Sequence, residues 1–125
     1  MASPSPLPFP ELERLSSAYL AAYDFESALA TIDRALSEEP TSRLWSLLGD
    51  LRFMRNEYDA AYDAYHACVE ADTSQARAYF MMGYCAIQLD RTDDAIASLT
   101  EAARFPEQSG RANQLIVALK QLAGE

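Results

Sequence analysis

A period of 34 residues constrains this chain more than any other feature. Gly83 lies 34 residues after Gly49, Ala95 lies 34 after Ala61, and Leu99 lies 34 after Tyr65. The last copy holds two apolar-periodic segments broken at Asp90-Arg91-Thr92, and small residues recur upstream at the same places. A repeat of this length reads as a helix-turn-helix unit that cannot bury its own apolar face, so neighbouring units must stack to close a core. Strand-like alternation is absent and the chain has only 4 glycines, both of which favour helices throughout. The expected fold is an all-α solenoid of three helical pairs with a C-terminal capping helix.

The chain divides accordingly. Residues 1–10, MASPSPLPFP, carry proline at 4, 6, 8 and 10. That run reads as an extended, flexible tail, either a plain terminus or a recognition segment. From Glu11 to Ala123 the pattern is a single repeat domain. Its units span about 9–42, 42–75 and 76–109, and a lone amphipathic segment at about 109–123 has no partner after it. Thr41 or Ser42 offers an N-cap for the second pair, and Phe105-Pro106 should stop the third. The first two registers overlap by one residue, which implies a tighter turn at Pro40-Thr41. Acidic residues recur where each second helix begins (Asp24/Glu26, Glu57/Asp59, Asp93/Asp94), and there they complement the helix dipole.

Composition narrows the function. In 125 residues half are apolar, enough for one continuous core. A formal charge of −9 argues against nucleic acid or an anionic membrane as partner, because either needs a cationic face. No apolar run approaches the roughly 20 residues that span a bilayer, and no secretory signal is visible, so a reduced cytoplasm is expected. Cys68 and Cys85 fall where a small apolar residue is wanted and read as buried free thiols. His66, the sole histidine, completes no metal-ligand set, and no phosphate loop or nucleophile motif is present. The expectation is a non-enzymatic chain with no cofactor and no metal.

Set in register, these residues resemble tetratricopeptide repeats. The second unit supplies Trp45, Leu48, Gly49, Tyr58, Ala61, Tyr65 and Cys68; the third supplies Tyr79, Met82, Gly83, Ala95, Leu99 and Ala102. The first supplies Leu12, Leu15, Ser16, Tyr19, Phe25, Ala28, Ile32, Ala35 and Pro40. Thr73 stands where the second unit's closing proline would be, and Pro106 falls one position early. The third unit is also similar to the central repeat of class II type III secretion chaperones, in Phe80, Gly83, Cys85 and Ala95-Ile96. That likeness implies a chaperone for a secreted translocator or another secretion-system protein. The long N-terminal dimerisation segment of those chaperones has no counterpart here, which puts self-association through it in doubt, although a homodimer is still an option. A general scaffold, or a regulatory subunit of a larger complex, would use the same fold.

In such repeats the first helices line a concave groove. The resemblance therefore places a protein or peptide client against Glu13, Ser17, Leu20 and Ala21, then Arg43, Ser46, Asp50, Phe53 and Met54, then Arg77, Phe80, Tyr84, Ile87 and Gln88. Aromatic and Met side chains there suit an extended segment with alternating apolar anchors. Asp50 stands at a position where adaptors for acidic chaperone tails need a carboxylate clamp, and it would repel such a tail. Arg43 and Arg77, one repeat apart, either position a polar client or pair with acidic neighbours.

Overall fold

The computed structural model describes residues 7–124. Among them seven helices follow in order: α1 (Phe9–Ala21), α2 (Phe25–Glu38), α3 (Ser42–Met54), α4 (Tyr58–Ala71), α5 (Ala76–Gln88), α6 (Thr92–Ala102) and α7 (Pro106–Leu122). They pair as α1 with α2, α3 with α4 and α5 with α6, and each pair leans on the next. The first helices and α7 form one layer, while α2, α4 and α6 form the other. No helix among the described residues is long and apolar enough to cross a membrane.

The turn inside each pair is the same device three times. Tyr23, Asn56 and Asp90 adopt left-handed backbone with φ of 59°, 61° and 57°. Around them the amides of Asp24, Glu57 and Arg91 reach back to the carbonyls of Tyr19, Arg52 and Ala86, each at 2.9 Å. The left-handed residues themselves donate to Leu20, Phe53 and Ile87. This double closure satisfies carbonyls that a helix end leaves free. The three residues lie 33 and then 34 apart. The missing residue is lost from the connection after α2, Glu39–Thr41, which is one shorter than Asp72–Gln75 after α4. That accounts for the overlap of the first two registers. Asp24 caps α2 by accepting from the Ser27 amide at 3.2 Å, and Thr41 caps α3 by accepting from that of Leu44 at 3.2 Å.

Two boundaries differ from the sequence reading, both at prolines. The flexible tail was expected to run to residue 10, yet Phe9 and Pro10 belong to α1. Residues 1–6 of that run lie outside the described residues. The capping helix starts at Pro106 rather than Ser109, and the amides of Gln108 and Ser109 bond to the Phe105 carbonyl. A proline that cannot continue a helix can open one, since the first-turn N–H has no intrahelical partner to lose.

Small residues set the spacing inside each pair. A Cβ built on Gly49 would lie 2.6 Å from the Tyr65 ring, and one on Gly83 would lie 2.6 Å from Leu99. Substitution at either must therefore push the second helix away. The first pair solves the same contact with a polar bond: Ser16, fully buried, donates to the Leu12 carbonyl at 2.8 Å and lies 2.9 Å from the Thr31 hydroxyl. Ala28, Ala61 and Ala95 are fully buried on the opposing helices.

Candidate binding groove

Between α1, α3 and α5 the first-helix layer leaves a hollow of about 390 Å³. Ser17, Leu20, Ala21, Asp50, Phe53, Met54 and Arg77, all named from sequence, meet there with Tyr23, Leu47 and Met81. α1 and α3 touch, whereas α3 and α5 approach less closely, and the hollow opens where they diverge.

An ion pair, Asp50 with Arg77, sits in this mostly apolar wall. Asp50 accepts a hydrogen bond from the Tyr65 hydroxyl, which reaches through from α4 beneath Gly49, and another from the Arg77 guanidinium at 2.8 Å. Both carboxylate contacts lie on the same oxygen. Burial, reinforced by the Asp50 charge, pushes the Tyr65 phenol well above its ordinary value, so the hydroxyl stays a donor. The second reading of Arg77, pairing with an acidic neighbour, is the one realised.

The remaining sequence-named residues are spread more widely. Arg43 and Ser46 line an adjoining hollow with Ser42, Leu47 and Gln75. Tyr84 is exposed at the groove edge and meets Phe53 edge-on, with ring centroids 5.5 Å apart. Gln88 is exposed at the end of α5. Phe80 requires correction as an open groove position. It is only 8% exposed, packs with Ala112 and Leu119 of α7, and carries the Arg111 guanidinium 4.4 Å above its ring. Ile87 is likewise half-buried against the same cluster and shares a small hollow with Leu119 and Leu122. The cause is the placement of α7: it joins the first-helix layer beside α5 and covers groove positions of the third repeat.

Leu47, Met81 and Tyr23 were not named from sequence. Leu47 and Met81 stand one repeat apart, so the same period that placed Phe53 could have found them. Tyr23 reaches the groove through its left-handed turn, which no periodicity signals. Cys68 and Cys85 are buried free thiols, pushed up to about 11 and about 12 by desolvation, and hence poor nucleophiles. No group of metal-ligating side chains occurs among the described residues.

Stacked helical pairs with a concave first-helix face define a tetratricopeptide-repeat protein. The family model for the anaphase-promoting complex, cyclosome, subunit 3 matches residues 14–102, and the chain belongs to this family of repeat sequences. No curated protein matches the chain. Among solved structures, the type III secretion translocator chaperone SycD of Yersinia enterocolitica is similar with a TM-score of 0.84 at 22% identity, over 94% of this chain and 86% of that one. PcrH in complex with the chaperone binding region of PopD gives 0.82 at 20% identity, over 91% and 92%. The first tetratricopeptide domain of Spaghetti (RPAP3), bound to the HSP90 peptide SRMEEVD, gives 0.83 at 14% identity, over 94% of each chain. At these identities the likeness is one of fold.

Proposed function

We propose that this chain is a non-enzymatic protein-binding module, a cytoplasmic chaperone that holds an extended segment of a type III secretion client in the groove of α1, α3 and α5. The observation that carries the reading is the groove wall itself. Leu20, Leu47, Phe53, Met54 and Met81 offer apolar contacts around the Asp50–Arg77 ion pair. An extended client would seat alternate apolar side chains on that wall, where Met and aromatic groups adapt to varied partners. With Arg77 committed to Asp50 and no lysine in its lining, the hollow lacks the cationic clamp that an acidic tail such as SRMEEVD would need. The likeness to SycD and PcrH supports the secretion client over a general scaffold. The role needs no cofactor.

The test is affinity capture from the native cell combined with co-expression. A client should be recovered that is soluble only when co-expressed with this chain. Met54→Glu should weaken that capture about tenfold, since a charge would face an exposed apolar anchor, while the thermal melt stays close to the parent's. Capture of folded partners with no secretion component would remove the chaperone role and leave a scaffold.

A further inference from the structure

The Asp50–Arg77 pair uses only part of its hydrogen-bonding capacity. Both donors that reach Asp50, the Tyr65 hydroxyl and the Arg77 guanidinium, meet the same oxygen, Oδ1. Oδ2 accepts nothing among the described residues, and Arg77 uses one nitrogen, Nη2, in the contact at 2.8 Å. Among those residues no buried side-chain nitrogen or oxygen lacks a partner. The free oxygen and the free guanidinium N–H groups are therefore accessible, and both side chains line the hollow. Side by side they present one acceptor and a set of donors.

The surroundings say what such a pair can meet. Asp50 is held from behind by Tyr65, whose ring is fully buried against Gly49. The two charges cancel, and no other charged side chain lines the hollow, so nothing here calls for a charged ligand group. That combination fits a main chain. An extended segment laid on an apolar wall loses water from its N–H and C=O groups, and each then needs a partner. A carboxylate oxygen can take the N–H and a guanidinium the C=O, and hydrogen bonds to ionised groups are the stronger kind.

We propose that the Asp50–Arg77 pair is a main-chain clamp: Asp50 Oδ2 accepts an N–H of the bound segment, and a free Arg77 N–H donates to a neighbouring C=O. The clamp rests on the groove reading above, and it makes the client an extended segment with an uncharged centre. The residue over Asp50 is not proline, which has no N–H to give. The apolar wall selects the side chains, while the pair fixes where the main chain lies.

The experiment uses the full chain, isotope-labelled, with a capped synthetic peptide of about seven residues that alternates serine with leucine, and a copy N-methylated at every amide. The unmethylated peptide should shift the amide signals of Asp50, Phe53, Met54 and Met81. N-methylation should weaken its binding at least about tenfold, as loss of a hydrogen bond to a charged group does. Asp50→Ala with Tyr65→Phe, which leaves no buried hydroxyl unpaired, should bind the two peptides within about threefold of each other. Lysine or glutamate in place of a central serine should change the parent's affinity by less than about threefold. Equal binding of both peptides to the parent, or the same loss on methylation in the variant, would overturn the clamp and leave the groove reading standing. So would a preference of about tenfold for lysine, since Asp50 would then be reading charge. No shift at about 1 mM peptide would overturn both.

Discussion

Ser46 and Phe80 hold the same position in successive repeats, as do Phe53 and Ile87, yet the two halves of the groove face have different fates. In the second repeat, Asp50, Phe53 and Met54 look into an open hollow. In the third, Phe80 and Ile87 look onto α7. The local chemistry does not explain this: α3 and α5 are both 13-residue helices, ended by the same turn. What differs is the next helix along the layer. α5 has α7 packed beside it, whereas α3 diverges from α5 and leaves a gap. A repeat position is therefore a binding position only where the neighbouring helix stands off.

The sharpest way to break this comparison is to truncate the paired positions. Phe80→Ala should cost about 3 kcal/mol, at the lower end for a buried phenylalanine, and lower the melting temperature accordingly. Ser46→Ala should change stability by less than about 0.5 kcal/mol, as partly exposed substitutions do. If thermal melts showed the two alike, α7 would not be a packed cover but a loosely held one.

A smaller effect sharpens it from the second layer. Tyr65 and Leu99 are also repeat equivalents, each pressed on a helix glycine, but only Tyr65 sends a hydroxyl through to the groove. Tyr65→Phe should cost about 1 kcal/mol in chemical denaturation, since Asp50 keeps its Arg77 partner and is not left unsatisfied. A loss matching that of Phe80→Ala would mean that the Asp50 cluster, rather than apolar packing, holds the second and third repeats together.

The smallest effect concerns the turns. Asn56 and Asp90 take the left-handed conformation at low steric cost, whereas Tyr23 in the first repeat does not. Tyr23→Asn should raise stability by about 0.5 kcal/mol, or about 2 °C in the melt, after losing the edge contact with Phe25 at 6.3 Å. A drop instead would show that the tyrosine ring, which also lines the groove, matters more than its backbone.

Much of this was legible in the residues. The interval between Gly49 and Gly83 predicted the stacking, and the overlap of registers at Pro40-Thr41 predicted the short connection. The close approaches could be read because they depend on the absence of a side chain, and an absence at a fixed period is visible in the letters. The prolines were read correctly as breaks and incompletely as starts, since Pro10 and Pro106 serve their helices from the first turn. Among the groove residues, Ser17, Leu20, Asp50, Phe53, Met54 and Arg77 do converge. Phe80 does not join them, because its exposure is settled by Arg111 and Leu119, some thirty to forty residues later in the chain.

By itself, the sequence determined which residues pack inside each helical pair. Those contacts repeat with the chain and need only neighbours that the period supplies. Only the tertiary structure decided which outward positions remain open. That depends on how far α3 stands from α5 and where α7 comes to rest. Each is a distance between elements remote in sequence, set by the summed packing of the whole stack and carried by no single residue.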